Sequence, residues 1–358
     1  MTDTVVSSQN GLRYQWLPWS AELHDVIAGY DEPLPADMSA YWLDTTAKIM
    51  TTAGTVFCHC LKDNNDTIIL LLPLVHQPAF WGPKFKSLSC FYSSLSSCYG
   101  VAEPNHIHLL LHSIVSHWRC SSIELEPLAE YNPLLQALYS RERQYSFVCY
   151  QRFVNYYHLI STDYTSYLQQ RPALLRQTLK RKQKKISQLK ATCQIFSSLA
   201  DITQHLPYFH QVYRQSWKPT EYSTDFIDNV CIAAAVKDEV RLGVLVLDEQ
   251  IIAAQIWFVR AGVASIFKLA YVNQFQYLSP GTVLSAAMFQ QVIDNDGVSC
   301  IDYGIGDEPY KADWMSEKRQ RYGVLLFNLN CFGGWLSWCR HRLPPLLRRI
   351  LSRRRSKV

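Results

Sequence analysis

Hydrophobic and polar positions along this chain change period repeatedly, and each change predicts an element. In the C-terminal half, residues 265–272 (SIFKLAYV) and 299–304 (SCIDYG) read as strands. Between them Val283, Leu284, Ala287, Met288 and Val292 recur at helical spacing, so a helix over Pro280–Asn295 with one buried face is expected. Upstream, Arg241–Leu247 and Ile251–Val259 form a hairpin pattern across Asp248, Glu249 and Gln250. Its second strand carries Ala253, Ala254 and Gln255, where small side chains let a second backbone or a ligand come close. Val324–Asn330 reads as a last strand.

The N-terminal half alternates in the same way. Helices are expected over Tyr41–Thr52, His106–Trp118 and Pro133–Arg143, with strands over Ser122–Glu126 and Ser146–Leu159. Thr55–Leu61 and Thr67–Val75 make a hairpin around Asp63, Asn64, Asn65 and Asp66. Strands alternating with helices predict an α/β protein whose sheets carry helices on their faces. Phe80, Trp81 and Gly82, and the run Phe91–Tyr99, either line a groove or form an exposed loop and a packed hairpin. Ser161, Thr162 and Asp163 form a capping cluster that closes the long strand and divides the chain near residue 161. Helices then follow over Pro172–Lys190, with Leu175, Leu179, Ile186 and Leu189 as a buried stripe, and over Asp201–Trp217.

Composition fits a folded protein of 358 residues, 48% apolar and 18% charged, large enough for two cores. Met1–Gly11 lacks the apolar core of a secretory signal, and no run reaches the roughly 20 apolar residues that span a bilayer. Eleven scattered cysteines, an odd number, fit reduced buried thiols in a cytoplasmic protein. Cys58, His59 and Cys60 alternate along a strand, so the histidine points away from both thiols and no metal site is predicted.

Charge is distributed unevenly. Residues 171–190 and 340–358 each hold eight Lys/Arg, so the rest carries 19 against 30 acids, a net of −11 within the total of +5. On the first of these segments Arg176, Lys180 and Lys184 recur every four residues beside Arg181. Such spacing calls for solvent screening or an anionic partner. In the second, Leu343, Leu346, Leu347, Ile350 and Leu351 interleave with arginines behind Trp335 and Trp338. That pattern suits an anionic membrane surface, RNA, or a solubilising tail.

Ser279, Pro280 and Gly281 open the helix expected from residue 280. Serine is a good N-cap, proline suits the first helical position, and glycine leaves the next N–H groups uncovered, so the turn can face an anion. The same sequence is also ordinary helix-start chemistry. With the strands on either side, however, the stretch resembles the core of the GNAT acyltransferase superfamily. The match narrows at Asp302, Gly306, Tyr310, Lys311 and Trp314 in DYGIGDEPYKADW. This segment is similar to the end of the transferase domain in the cellulose-biosynthesis-associated (CelD/BcsL-type) acetyltransferases, relatives of the Fem-type aminoacyl transferases. Gln276–Gly281 (QYLSPG) replaces the Gln/Arg-x-x-Gly-x-Gly/Ala loop of typical members.

The resemblance implies tandem GNAT-like (Fem-like) domains, each a mixed, partly splayed sheet flanked by helices. They would span 1–160, without a donor site, and 161–334, the acyltransferase, with 335–358 as a basic amphipathic tail. It also implies an N-acyltransferase, foremost an acetyltransferase, acting from acyl-CoA on an amine such as an amino sugar or an envelope or exopolysaccharide precursor. Tyr310 would be the acid, and Asp302, Asp307 or Glu308 the base. Ala270, Tyr271, Val272, Ser279, Gly281, Thr282 and Lys311 would hold the donor, and Trp217, Lys218, Glu221 and Trp314 would face the acceptor. A Fem-like transferase using aminoacyl-tRNA held by the basic segments, and a non-catalytic envelope-assembly protein anchored at the inner membrane face, are the alternatives.

Overall fold

The computed structural model describes residues 6–9, 11–30, 34–141 and 144–342. Contacts divide them into two compact units. The first takes the described parts of residues 1–31, 46–152 and 320–342, and the second takes 34–45 and 153–319. Compared with a division at 160/161, the second unit thus gains the end of one strand and a short N-terminal segment, and gives up residues 320–334.

In the first unit the strands are β1 (Val6–Gln9), β2 (Leu12–Pro18), β3 (Thr55–Lys62), β4 (Ile68–Gln77), β5 (Lys84–Ser87), β6 (Tyr99–Gly100) and β7 (Ser122–Leu128), with the start of β8 (Ser146–Leu159). From β1 to β5 they pair antiparallel in chain order, β6 also pairs with β4, and β7 lies parallel to β5. The β3–β4 turn forms because Asp63 accepts from the backbone N–H of Asn65 and Thr67. Helices α1 (Ala21–Ala28), α3 (Pro104–Trp118) and α4 (Pro133–Ser140) also belong to the unit, and α2 (Ala40–Thr45) to the second. Asn132 caps α4 by accepting from Leu134 N–H, with Pro133 at the first helical position. Leu72, Phe85, Leu111, Ile114, Ile123 and Leu138 meet in one core. His59 is fully buried, bonded to Ser113 and stacked on Trp16 at 4.1 Å. Most of the run 91–99 is buried as well, while Phe80 and Trp81 stand exposed.

The second unit contains the end of β8, then β9 (Thr192–Phe196), β10 (Val240–Leu247), β11 (Gln250–Arg260), β12 (Val263–Tyr271) and β13 (Cys300–Ile305). Their order is β8-β13-β12-β11-β10-β9, antiparallel except for β12 and β13. Strand β14 (Glu317–Phe327) starts in this unit and ends in the first. Helices α2 (Ala40–Thr45), α5 (Tyr164–Gln169), α6 (Ala173–Gln188), α7 (Leu199–Arg214), α8 (Thr224–Ala235), α9 (Pro280–Gln290) and α10 (Lys311–Trp314) surround the sheet. Alternation along β11 explains the two packed faces. Trp257 meets Phe289 of α9 on one side, and Phe258 meets Trp42 of α2 on the other.

Asp163 caps α5 as its sequence position suggests, accepting from Ser166 N–H at 2.7 Å. Leu175, Leu179 and Ile186 form the buried stripe of α6. Leu189 does not join them, because the helix ends at Gln188 and Lys190 turns left-handed, leaving Leu189 exposed. Among the described residues no helix is long and apolar enough to cross a membrane.

Candidate active site

The second unit holds a discontinuity in its sheet. β12 and β13 pair only through Val263, Ala264 and Ser265 with Cys300, Ile301 and Asp302. Beyond that point β12 continues on β11 as far as Tyr271, while β13 follows β8. A buried network fixes the divergence. Asp302 accepts from Asn155 at 2.6 Å, from Arg319 at 2.6 Å and from Gly304 N–H at 2.7 Å, and Arg319 also donates to Asn155 at 2.7 Å. Gly304 sits at φ 64, where a side chain would be strained. Asp302, with both oxygens engaged, therefore shapes the strand.

The opened edge of β12 offers backbone donors. Val272 N–H bonds Ile252 of β11, so ladder alternation turns the N–H of Tyr271 and Leu269 toward the side that β13 has left. The chain then passes through a 3-10 turn (Asn273–Leu278) into α9. Ser279 adopts a left-handed conformation, φ 52 and ψ 50, and makes no side-chain cap bond. This corrects the expectation that its hydroxyl caps the helix. Pro280 has no N–H, so Gly281 and Thr282 supply the first-turn donors that lack intrahelical partners. Gln255, fully buried, ties this helix start to β11 by donating to Gly281 carbonyl at 3.0 Å and to Ser285 at 2.9 Å, and by accepting from Trp257.

Helix α6 supplies positive charge beside the same turn. Lys182 donates to Tyr277 carbonyl, and Lys185 lies 4.7 Å from the Tyr277 ring. Lys182 was missed in the sequence, although its place three residues after Leu179 and four before Ile186 puts it on the border of the buried stripe. Arg176 instead bonds Arg171 carbonyl, and Lys180, Arg181 and Lys184 are exposed.

A cluster of charged and phenolic groups collects on α7, the loop after it, and β12. Lys268 and Glu221 form an ion pair at 2.7 Å, with side chains only 10% and 7% exposed. The Tyr213 hydroxyl also bonds Glu221, and burial with that carboxylate pushes it up to about 12. Burial, followed by the charge of Lys268, pulls Lys218 down to about 8 against the opposing pull of Glu221 and Glu308. Half-exposed Trp217 packs on Tyr271 with centroids 4.4 Å apart. Lys268 and Tyr213 also escaped sequence reading; a lysine inside SIFKLAYV was the available signal for the first.

After β13, Lys311 is 3% exposed and donates to Ile305 carbonyl at 2.5 Å and to Glu308 at 2.7 Å. It latches the loop rather than reaching toward a donor. Glu308 is held below its usual range, burial being outweighed by Lys311. Asp307 is exposed and bonds Tyr156. Tyr310 is 44% exposed, and burial followed by Glu308 pushes its hydroxyl up to about 12. Trp314 is a core residue, stacked on Phe289 at 4.6 Å, its carbonyl accepting from Tyr167 and Arg171, so the acceptor-side placement does not hold for it. Ala270 is buried within the β12 ladder.

Residues 173–312 match the acetyltransferase (GNAT) domain family. The matched span covers the splay, α9 and the charged cluster, stops short of Arg319 and begins after the end of β8. FemX has a similar fold over 87% of this chain and 97% of its own, with TM-score 0.62 and 9% identity. A conserved protein of unknown function from Bacteroides thetaiotaomicron aligns over 87% and 99%, with TM-score 0.58 and 9% identity. L-PGS from Bacillus licheniformis aligns over 88% and 93%, with TM-score 0.54 and 12% identity. At such identities the likeness is one of fold. Comparison with curated proteins gives no significant match.

Proposed function

We propose that the protein is an N-acyltransferase that moves an acyl group, acetyl foremost, from acyl-CoA to a primary amine. The observation that carries this reading is the splay: an opened β12 edge that leads to the α9 N-terminus, with the charged cluster beside it. The pantetheine arm would add to the sheet against the N–H groups of Leu269 and Tyr271. The pyrophosphate would sit at Gly281 and Thr282, with Lys182 and Lys185 nearby. At the reacting carbonyl whichever of the Leu269 and Tyr271 N–H groups the arm leaves free would stabilise the oxyanion.

The amine nitrogen attacks the thioester carbon, the C–S bond breaks, and an amide and a thiol result. The amine must first lose its proton. Lys218, which sheds its own proton near 8, suits this task, while half-exposed Glu308 orients the incoming ammonium. Tyr310, still protonated at neutral pH, gives its proton to the leaving thiolate. The resemblance at residues 302–314 favours an amino sugar or exopolysaccharide precursor as acceptor. A second reading, aminoacyl transfer from tRNA, draws support from the FemX-like fold, which spans nearly all of both chains.

Calorimetric titration with acetyl-CoA and longer acyl-CoAs tests the donor. Wild-type protein should bind, and Gly281→Glu and Lys182→Glu should both lose affinity. A Cβ at position 281 falls 3.1 Å from the Tyr271 ring, so the Lys182 variant provides the undistorted comparison. No binding by the wild type would overturn the CoA reading. Salt-sensitive binding of aminoacyl-tRNA in its place would establish the second.

A further inference from the structure

The first unit exposes an aromatic surface that the proposed chemistry does not use. Phe80 is 89% exposed, Trp81 53%, Phe332 58% and Trp335 52%. Their rings are contiguous, with centroids 4.7 Å apart for Phe80 and Trp81, 4.8 Å for Trp81 and Phe332, and 6.5 Å for Phe332 and Trp335. Four large apolar side chains in one exposed chain of contacts are more than scattered surface hydrophobics, and such patches mark interaction sites. The helical segment 332–342, which carries Phe332 and Trp335, packs against the unit at both ends. Gly333 lets its backbone press on Trp81, where a Cβ would lie 1.7 Å from the Trp81 carbonyl oxygen, and Arg342 donates to Phe147 carbonyl at 2.6 Å.

Beside the aromatic rings lies a cavity of about 440 Å³, lined by Trp81, Lys84, Leu336, Arg340 and His341 among others, and by no acidic residue. Lys84 and Arg340 are exposed. In the sequence, six further Lys/Arg and five Leu/Ile follow residue 342 without an acid.

We propose that this surface docks the protein on an anionic lipid bilayer, with a phosphodiester headgroup in the Lys84–Arg340 cavity and Phe80, Trp81, Phe332 and Trp335 in the interfacial layer. Tryptophan and phenylalanine favour that layer, and cationic groups at its level gain from the negative surface potential. Single-stranded RNA also uses aromatic and basic groups. The continuous Phe, Trp and Leu exposure here, extended by an apolar and basic sequence, favours lipid. The proposal is independent of the chemistry assigned to the second unit.

Co-sedimentation of the full-length protein with vesicles of phosphatidylcholine alone, and of phosphatidylcholine with phosphatidylglycerol, is the test. Binding should require phosphatidylglycerol and should persist in inorganic phosphate, which separates a lipid headgroup from a free anion. Lys84→Glu/Arg340→Glu should weaken binding by more than about tenfold, each basic residue near the surface contributing roughly fivefold. Trp81→Ser/Phe332→Ser should weaken it comparably while the basic C-terminal segment is intact. Unfolding curves check that each variant is folded, and the surface charge pair carries the test should the aromatic variant fail. Equal binding by the charge-pair variant and wild type, or the same binding to neutral vesicles, would overturn the proposal. So would binding of single-stranded RNA that depends on these residues without any binding of vesicles.

Discussion

Replacing Lys218 with Met should make the protein more stable and less active. A lysine that loses its proton near 8 rather than at its usual 10.5 carries its charge in the folded state at a cost of about 3 kcal/mol at neutral pH. The side chain is intermediate in exposure, and solvent screening trims that figure to about 2 kcal/mol. Methionine keeps the apolar stem beside Tyr213 and Trp217 and discards the charge, so the variant should gain about 2 kcal/mol. The sign against pH follows from proton binding. Between 8 and 10.5 the unfolded chain binds more protons at this residue than the folded one, so wild-type stability climbs with pH and the variant's advantage shrinks. Urea unfolding at neutral pH and at about pH 10 measures both quantities. Turnover of acyl-CoA with an amine should fall by roughly 10²–10⁴ if Lys218 is the base. A variant no more stable than wild type, or an advantage that does not change with pH, would refute the argument.

The buried ion pair beneath it behaves differently. Lys268→Met alone leaves Glu221 charged and buried without its ion-pair partner, and should cost about 3–5 kcal/mol; adding Glu221→Gln should recover a large part, as double-mutant unfolding curves would register. Tyr310→Phe should leave acyl-CoA affinity and stability nearly unchanged while lowering kcat by about 10²–10⁴, and no change in kcat would remove it from the role of acid.

Legibility in the sequence followed the range of the interactions involved. The β12, α9 and β13 elements were plain because a strand or helix buried on one side writes its period into nearby residues. The turn at 279–282 was equally local, although the left-handed Ser279 was not, since the same residue types serve a side-chain cap. Lys311 and Trp314 stand in a recognisable motif, but only the packed structure reveals a latch and a core residue there. Glu221 with Lys268, and Asp302 with Asn155 and Arg319, join residues far apart in the chain, and no pattern within one element announces such partners. Helix α8, absent from the expected elements, is nonetheless signalled locally, by Ser223 and the spacing of Phe226, Ile227, Val230 and Cys231.

Strand β8 begins in one unit and ends in the other, and this limits how the chain can be cut. A fragment starting at residue 161 contains the whole GNAT match, yet it lacks residues 155–159, the partners of β13. It lacks Asn155, which holds Asp302, and also Trp42, whose ring meets Phe226, Phe258 and Phe267. Such a fragment would present a bare strand edge where the native sheet is paired, the kind of edge along which chains associate and aggregate. The second unit is thus completed by residues that precede residue 161 in the chain, and its independence must be judged from strand pairing rather than from the extent of sequence similarity.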